Sequence, residues 1–424
     1  MKPLRIAIAG AGTTGLAAAA FLTRAGHDVR LFERFGEPRP LGAGILLQPT
    51  GLACLAQLGL DGAAIGLGAR IDAIEGKTAG GRTVLDMGYA QLAPHYFGVG
   101  IHRGALFGIL HQEALRLGIP VTGDVQVARS RPEGRGRTLL DTAGREHGPF
   151  DLVVDATGLR SPLRRQVDPH VKERPFAWGA LWSAVPLPAG WPGPATLRQR
   201  YDGASVMIGV LPIGRLPDQD RDLGAFFWSL RADRYEAWRA AGMDVWRRRV
   251  VSIWPEVEPV IAGLSRPDDV TFATYSDMTM RTPCGERLVV IGDAAHCTSP
   301  QLGQGANLGL ADAATLVQCL DEADDLADGL ARYAEARRRH VRFYQFASRW
   351  LTPFFQSESR SAAVMRDLTF GPAGRLPFGR RHMLATLAGI KTGPFGQLDP
   401  GDWHEAYRLA PATAETIAAR RQPV

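Results

Sequence analysis

The feature that most constrains this chain is a glycine motif between two apolar segments near its N-terminus. Ile6–Ala9 has the pattern of a buried strand, and Gly10-Ala11-Gly12-Thr13-Thr14-Gly15 follows it as a G-x-G-x-x-G sequence. Gly15–Ala25 has the composition of a helix, and Val29–Glu33 has the pattern of a second strand. The order strand, glycine turn, helix and strand defines a βαβ unit. It predicts an α/β fold with a doubly wound parallel sheet.

The glycines and the acidic residue of this unit have the properties of a dinucleotide site. Gly10 permits the tight turn, Gly12 lets the backbone approach a pyrophosphate, and Gly15 lets the helix pack closely on the strand. The helix N-terminus directs N–H groups and a partial positive charge at the phosphates. Glu33 can accept hydrogen bonds from ribose hydroxyls and would repel a phosphate, which favours FAD or NAD over NADP. The same predicted binding set includes Thr13, Thr14 and Arg34.

Composition places the chain among folded enzymes of more than one domain. It has 424 residues, of which 45% are hydrophobic and 22% charged, and this excludes a disordered chain. The four cysteines show no C-x-x-C pair or metal-ligand spacing, which argues against a disulfide framework and a zinc site. We therefore expect a reducing, cytoplasmic compartment and no metal. The cysteines are Cys54, Cys284, Cys297 and Cys319.

The charge and the N-terminus also limit the partners. The net charge of +6 includes the arginine clusters 247–249 and 337–339, which we interpret as solvated helix surface, with a nucleic-acid face as the alternative. The apolar run at the N-terminus is too short for a signal peptide, and no stretch approaches the roughly 18 apolar residues of a membrane span. The expected protein therefore has no nucleic-acid partner and no membrane span.

Two later buried runs each end in a glycine turn and extend the nucleotide fold. Residues 151–156 precede Thr157-Gly158, and residues 287–291 precede Gly292-Asp293. Between them the sequence is rich in aromatic residues and valine with short strand patterns, which predicts an inserted antiparallel sheet. The predicted division is a nucleotide-binding domain in three parts (1–69, 98–175 and 281–345), a substrate domain (176–280) with strands from 70–97, and a C-terminal helical region (346–424).

The segment from Gly292 to Asn307, GDAAHCTSPQLGQGAN, indicates which dinucleotide is bound. Asp293 is an acceptor for ribityl hydroxyls, and the glycines of Gly303-Gln304-Gly305 let backbone N–H groups reach the edge of a flat ring. The helix that follows places its positive end where negative charge develops on a reduced flavin. The predicted flavin-binding residues of this segment are Asp293, Gly303, Gln304, Gly305, Ala306 and Asn307.

With these motifs, the first 345 residues resemble the single-component flavoprotein monooxygenases of the para-hydroxybenzoate hydroxylase type. GAGTTG with Glu33 matches the first motif of that family, and GDAAHCTSPQLGQGAN with Asp312 matches its flavin-ribityl motif. The resemblance implies an FAD-binding domain of the GR2-type, Rossmann-like fold. It also implies further cofactor-binding residues in the loop beside the flavin ring and in two other motifs, namely Gly44, Ile45, Arg103, Thr157 and Gly158.

Two positions depart from the family pattern. Thr157 stands where the family usually has an aspartate associated with FAD and NAD(P)H binding, although Gly158, Ser161 and Arg164 keep the rest of the motif. Thr50 stands where the family often has asparagine. The loss of the aspartate affects the expected use of a nicotinamide reductant and the expected rate of flavin reduction.

The resemblance implies a hydroxylation that uses O₂ and NAD(P)H. NAD(P)H reduces FAD, O₂ adds at flavin C4a, and the hydroperoxide transfers one oxygen to a small aromatic or heteroaromatic substrate. A second copy of the chain, in a homodimer, is a further expected partner. Pro300 is expected to wall the pocket over the ring.

The substrate pocket is expected between the flavin and the inserted sheet. Either Tyr201 or Tyr275 is the candidate for polarising a phenolic substrate as a base or hydrogen-bond partner. Aromatic residues of an inserted sheet also serve simply as core, which is the alternative for each candidate. His296 and Cys297 are interpreted as structural residues. The candidate pocket residues are Trp182, Tyr201, Trp228, Tyr275 and Pro300.

Three other functions share the expected fold. A flavin-dependent halogenase would carry a W-x-W-x-I-P stretch, which the sequence lacks. A flavin dehydrogenase or reductase would act on a lipid-like substrate without incorporating oxygen. A flavin-binding protein without catalysis would show no substrate-stimulated oxidation of NAD(P)H.

Overall fold

The structure, a computed structural model, describes residues 2–38, 42–217 and 219–398. The strands in these ranges are β1 (Arg5–Ala9), β2 (Asp28–Phe32), β3 (Gly44–Leu47), β4 (Ala69–Ile71), β5 (Ala73–Thr78), β6 (Thr83–Gly88), β7 (Gly98–His102), β8 (Val121–Thr122), β9 (Val127–Glu133), β10 (Gly136–Asp141), β11 (Glu146–Phe150), β12 (Leu152–Asp155), β13 (Lys172–Pro186), β14 (Thr196–Asp202), β15 (Val206–Gly214), β16 (Leu223–Arg231), β17 (Thr271–Thr279), β18 (Cys284–Gly285) and β19 (Leu288–Val290).

The α-helices lie mainly in the first and last thirds of the described chain. They are α1 (Thr13–Arg24), α2 (Pro49–Gln57), α3 (Asp61–Leu67), α4 (Arg103–Arg116), α5 (Arg164–Val167), α6 (Tyr235–Ala241), α7 (Met243–Ile253), α8 (Glu258–Ile261), α9 (Asp293–His296), α10 (Gly305–Asp321), α11 (Leu326–Phe355), α12 (Arg360–Arg375) and α13 (Pro377–Leu387).

A six-stranded sheet with the order β18-β19-β12-β1-β2-β8 forms the centre of the nucleotide fold. β1 runs parallel to both neighbours, with Ile6 opposite Val29 on one side and opposite Leu152 on the other. Its apolar residues are fully buried, as expected for a parallel strand covered on both faces. The alanines 17–20 of α1 are also fully buried, which lets α10 and α4 pack closely on this helix. The predicted doubly wound α/β fold is confirmed.

A second, seven-stranded sheet has the order β17-β13-β16-β15-β14-β5-β6. All its pairs are antiparallel except β14 with β5. β5 and β6 come from the 70–97 segment and join the later strands here, whereas β4 pairs with β7 in a separate three-stranded sheet with β3. The sheet thus collects strands from segments far apart in sequence.

The two faces of the seven-stranded sheet contact different layers. On one face Leu181, Phe226 and Trp228 pack against α6–α8, with Trp228 next to Trp246. The opposite face carries Trp182 and other residues that pack toward β3 or the C-terminal helices. Because successive residues of a strand alternate between faces, Trp228 lies on the side away from Trp182. Trp228 is a core residue of the outer layer, which corrects its prediction as a substrate-pocket residue.

The C-terminal helices cover one end of the seven-stranded sheet. The long helices α10 and α11 follow the flavin motif, and α11 ends at Phe355. Of the predicted C-terminal region, residues 399–424 lie outside the described residues. None of the described helices combines the length and apolarity needed to cross a membrane.

Candidate active site

The first glycine motif forms the turn from β1 into α1. Gly10 has a φ of +98°, and a Cβ there would lie 2.6 Å from the carbonyl oxygen of Ala156, so only glycine fits. A Cβ at Gly15 would lie 1.9 Å from the carbonyl oxygen of Gly10. A Cβ at Gly12, in contrast, would meet no atom within 4 Å. The chain itself requires the first and third glycines, and the second faces open space at the N-terminus of α1.

Glu33 holds the glycine turn from the end of β2. Its Oε2 accepts a hydrogen bond from the backbone N–H of Ala11 at 2.9 Å, and its Oε1 accepts one from the N–H of Phe35 at 3.2 Å. A carboxylate has about four acceptor positions, so the group can still accept from ribose hydroxyls. Arg34 is exposed, with its guanidinium 4.6 Å from the ring centroid of Phe35. Both predicted residues therefore lie at the same turn as the glycines.

Thr157 and Ser161 are both hydrogen-bonded to the carboxylate of Asp155, which ends the preceding strand. Asp155 is fully buried at the end of β12 and accepts hydrogen bonds from the backbone N–H of Thr157 at 3.0 Å and from its hydroxyl at 2.6 Å. The hydroxyl of Ser161 also donates to Asp155. Burial raises the pKa of Asp155, although these donors act in the opposite direction. Asp155 is absent from the predicted site because the sequence places it at the end of a buried strand.

Changing Asp155 to asparagine should loosen this loop. The amide keeps the size of the side chain but replaces one carboxylate oxygen by an NH2 group, so either the Thr157 donors or the Ser161 hydroxyl lose their buried acceptor. We expect a loss of about 1–3 kcal/mol in the free energy of unfolding, measured with denaturant, together with weaker retention of FAD. Asp151→Asn is the matched control, since Asp151 precedes the same strand and is partly exposed. Equal effects of both variants would contradict the role of Asp155.

The third glycine motif brings the starts of α1 and α10 together. Gly292 has a φ of +62°, and its Cβ would lie 2.8 Å from Oγ1 of Thr14, which also lies against Gly309. Asp293 begins α9 with an exposed side chain, and Oδ1 of Asp293 lies 3.4 Å from the position of a Cβ on Gly305. An exposed carboxylate therefore lies at the N-terminus of α10, where it can accept hydrogen bonds from a polyol.

Gln304 and Asn307 use their side chains within the protein. Oδ1 of Asn307 accepts from the N–H of Gln48 at 2.9 Å, and Nδ2 of Asn307 donates to the carbonyl oxygens of Leu46 at 3.1 Å and Gly303 at 3.0 Å. Nε2 of Gln304 donates to the carbonyl oxygen of Leu387 at 2.7 Å. These side chains fix β3 and the C-terminal segment to α10. Oε1 of Gln304 has no hydrogen-bond partner in the described part of the chain, and the role of both residues in binding a cofactor stays a prediction.

A buried charge network supports the same turn from behind. Asp312 accepts from the N–H of Gly292 at 2.7 Å, pairs with Nε2 of His296 at 2.6 Å and accepts from Nε of Arg337 at 2.7 Å. Burial disfavours the charged form of Asp312, but His296 and Arg337 hold its pKa well below the usual range. The structural interpretation of His296 agrees with this arrangement. Of the cluster 337–339, predicted as solvated surface, Arg338 and Arg339 are exposed, whereas Arg337 has 4% exposure and corrects the prediction at that position.

Three consecutive carbonyl groups at the C-terminal end of α13 accept hydrogen bonds from three parts of the site. Nε2 of Gln304 donates to the carbonyl oxygen of residue 387 at 2.7 Å, and Oγ1 of Thr50 donates to that of residue 388 at 3.4 Å. Nε2 of His340 donates to the carbonyl oxygen of residue 389 at 2.7 Å. Burial, with the charge of Arg337, lowers the pKa of His340 to about 3, so its ring is neutral. Nδ1 of His340 faces Arg337, which places the ring proton on Nε2. We call residues 387–389 the C-terminal clasp.

Arg103 lies at the start of α4, beside the 42–45 loop. Its N–H donates to the carbonyl oxygen of Ala43, and a Cβ on Gly42 would lie 2.9 Å from Cδ of Arg103. Its exposed guanidinium makes no hydrogen bond or ion pair within the described part of the chain. Gly44 packs directly on the seven-stranded sheet, since a Cβ there would lie 2.6 Å from Ile213. The 42–45 loop therefore contacts Arg103 through Gly42 and the seven-stranded sheet through Gly44.

An aromatic pair lies near Arg103 on the inner face of the seven-stranded sheet. Nε1 of Trp182 donates to the hydroxyl oxygen of Tyr275 at 2.7 Å, and the Trp182 ring packs 4.8 Å from that of Phe227. Burial raises the pKa of Tyr275 to about 12, and the charge of Arg103 acts in the opposite direction. The carbonyl oxygen of Cys297 accepts from the N–H of Met278, which holds the flavin-motif loop beside β17.

Comparison with known proteins identifies the family. A family model described as "FAD binding domain" matches residues 4–344. The chain belongs to this FAD-binding domain family. The 3-amino-4-hydroxybenzoate 2-monooxygenase of Streptomyces cremeus is 30% identical and covers 80% of this chain and 84% of that protein. The aurachin C monooxygenase/isomerase of Stigmatella aurantiaca is 29% identical and covers 86% and 93%.

Solved structures have the same fold as this FAD-binding-domain protein. HpxO of Klebsiella pneumoniae, complexed with FAD and uric acid, has a TM-score of 0.77 at 22% identity, with coverage of 92% of this chain and 98% of that chain. The predicted resemblance is confirmed, and the chain is an FAD-dependent monooxygenase. The relatives favour this function over the halogenase and the dehydrogenase or reductase.

The residues present fit FAD. The space beside Gly12 at the N-terminus of α1 is open and suits a diphosphate. A side chain at this position would occupy that space. Asp293 offers a free carboxylate beside α10, and Arg103 offers an unpaired cation in the part of the chain that the structure describes. Cys297 packs with Val171 and Met278 in an apolar cluster, and burial raises the pKa of its thiol to about 12. Its interpretation as a packing residue agrees with this.

Tyr201 lies in the core, not in the substrate cavity. It has 1% exposure, its hydroxyl donates to Oε1 of Gln199 at 2.7 Å, and its ring packs 5.3 Å from that of Phe355. The guanidinium of Arg366 lies 4.7 Å from the Tyr201 ring centroid and closes the remaining side. A buried and paired phenol cannot reach a substrate, so the predicted catalytic role of Tyr201 is wrong.

Proposed function

We propose that this FAD-dependent monooxygenase hydroxylates a small aromatic or heteroaromatic substrate held between Trp182, Tyr275 and Arg103. The observation that carries the proposal is the hydrogen bond from Trp182 to Tyr275 beside an unpaired arginine, on the sheet face toward the flavin motifs. Flat aromatic walls suit a planar substrate. The arginine suits an anionic substituent such as a carboxylate or phenolate. The names of the relatives support the same substrate class.

Different residues of the site would contact the cofactor and enclose the substrate. The chemistry that bound FAD supplies is acceptance of hydride from NAD(P)H and activation of O₂. The Gly10–Gly15 turn and the α1 N-terminus would hold the diphosphate, and Asp293 would accept hydrogen bonds from the ribityl hydroxyls. The N-terminus of α10, from Gly305 and Ala306, would stabilise negative charge on the reduced ring. Pro300, half-buried before α10, would help exclude water.

Tyr275 would act as a hydrogen-bond donor, not as a base. Its pKa of about 12 keeps the phenol protonated at neutral pH, and its oxygen already accepts from Trp182. The O–H therefore remains available to a substrate oxygen. A donor in this position orients a substrate and stabilises charge that develops on its oxygen.

Tyr275→Phe should weaken substrate binding without disturbing FAD. Loss of one hydrogen bond, worth about 1 kcal/mol, predicts a roughly fivefold increase in the KM for the aromatic substrate. Steady-state kinetics with saturating NAD(P)H measures this change. Tyr235→Phe, in the outer helical layer, is the matched control. An unchanged KM in Tyr275→Phe would remove Tyr275 from the substrate site.

The overall function is tested by product formation. The purified protein is supplied with FAD, and aromatic acids and phenols are screened for stimulated oxidation of NAD(P)H, with mass spectrometry of the products. Incorporation of one atom from ¹⁸O₂ into an aromatic product supports the proposal. Stimulated oxidation without an oxygenated product from any compound would contradict it.

Self-association and a cytoplasmic location complete the proposal. The C-terminal helices expose large apolar side chains that a second copy would cover, and light scattering of the purified protein tests for a homodimer. The four cysteines are free thiols, as expected in a reducing cytoplasm. The exposed apolar residues are Phe346, Trp350, Val364, Met365, Leu368, Leu376 and Phe378.

A further inference from the structure

A cavity of about 220 Å³ lies where β13 and β17 meet α11. Lys172 pairs with Thr279 and Arg174 pairs with Asp277 across the two strands, and residues directly opposite each other share a face of the sheet. Arg349 of α11 closes the cavity, since its Nε donates to Oδ2 of Asp277 at 2.5 Å and its guanidinium also contacts the Thr279 hydroxyl. Five polar side chains from three elements thus line one pocket.

The pocket has unpaired positive charge and an unpaired acceptor. The positive charge of Arg349 is paired with the carboxylate of Asp277. The side chains of Lys172 and Arg174 are exposed and make no ion pair or hydrogen bond within residues 2–38, 42–217 and 219–398. Oδ1 of Asp277 is buried and has no hydrogen-bond partner in the same ranges. Two free cations suit phosphate oxygens, and a free carboxylate oxygen suits a sugar hydroxyl.

The pocket continues the inner face that carries the proposed substrate site. Tyr275, Asp277 and Thr279 alternate with residues of the other face along β17, so the three side chains point to the same side. At about 3.4 Å per residue, Asp277 is about 7 Å and Thr279 about 14 Å along the strand from Tyr275. A ligand that lies along β17 can therefore extend from the cations to Tyr275, beside which the proposed function places the flavin.

We propose that this pocket binds the diphosphate and an adjoining ribose of NAD(P)H while the nicotinamide reaches the flavin beside Tyr275. The inference rests on the proposed function, because that function requires a nicotinamide reductant. Lys172 and Arg174 contact the phosphate oxygens, and Oδ1 of Asp277 accepts from a ribose hydroxyl. Hydride passes from the nicotinamide to FAD, and the oxidised nucleotide leaves. The cations contribute to binding and do not touch the reacting atoms.

The double variant Lys172→Ala/Arg174→Ala tests this site in the FAD-loaded enzyme. Anaerobic stopped-flow mixing with NADH or NADPH gives the nucleotide concentration for half-maximal flavin reduction and the limiting rate. Loss of two charge-assisted contacts predicts at least about a tenfold increase in that concentration for both nucleotides, with a limiting rate within about twofold of the wild type. The KM for the aromatic substrate at saturating nucleotide stays unchanged.

Arg248→Ala/Arg339→Ala is the matched control, because it removes the same charge from two exposed positions elsewhere. An equal effect in the control, or an unchanged half-maximal concentration in the test variant, overturns the inference. An effect confined to NADPH overturns the diphosphate assignment, and an increase only in the aromatic KM assigns the pocket to the substrate instead.

The inference and the proposed function fail in different ways. If neither nucleotide reduces the wild-type flavin, the nucleotide site is overturned, while oxygenation of substrate by the dithionite-reduced enzyme in air leaves the monooxygenase function standing. If NAD(P)H reduces the flavin but no substrate is oxygenated, the function fails and the nucleotide site stands on the binding data.

Discussion

Asp312→Ala should destabilise the protein by about 3–5 kcal/mol, because it leaves the buried charge of Arg337 without its partner. Asp312 has no exposure, and Arg337 has 4%. The variant also removes the acceptor for the N–H of Gly292 and for His296. Denaturant unfolding of the apoprotein and of the FAD-loaded protein measures the change.

Glu335→Ala is the control for this variant. Glu335 pairs with Arg338 at 2.7 Å on the exposed side of α11, and exposed pairs of this kind contribute less than about 1 kcal/mol. A loss in Asp312→Ala no larger than that of the control would show that the network does not stabilise the fold.

Gly12→Val should leave the apoprotein folded and remove most of its affinity for FAD. A Cβ at Gly12 meets no protein atom within 4 Å, and its φ of −77° is accessible to any residue. The side chain would instead occupy the space for the diphosphate. Such overpacking costs about 1–3 kcal/mol, which predicts a roughly ten- to hundredfold weaker affinity in a flavin-fluorescence titration.

Gly62→Val serves as the comparison, since Gly62 in α3 also has open space around its Cβ. It should keep the wild-type affinity for FAD. If Gly12→Val binds FAD normally, the diphosphate does not lie at the N-terminus of α1.

Local turns are the part of the site that the sequence predicts well. The roles of Gly10 and Gly15 depend on neighbouring residues of the same turn, so their spacing is sufficient to locate them. The same holds for Gly292, where a glycine at the end of a strand leads into a helix. The fold class follows from these turns together with the buried strands between them.

Register and distant contacts are the part that the sequence does not predict. Trp182 is opposite Phe227, one residue from Trp228, and a shift of one residue moves a side chain to the other face of the sheet. Tyr201 is enclosed by Phe355 and Arg366, which come from helices more than 150 positions later. Likewise, no spacing rule describes the hydrogen bonds that the N–H and the hydroxyl of Thr157 donate to Asp155.

The C-terminal clasp has a consequence for how the enzyme is made. Its carbonyl groups pair with side chains from α2, α11 and the residue before α10, and these partners leave the ribosome before residues 387–389 do. A nascent chain that ends before the clasp has all three glycine turns but lacks the acceptors for these donors. Assembly of the cofactor site therefore finishes only after residues 387–389 have been synthesised.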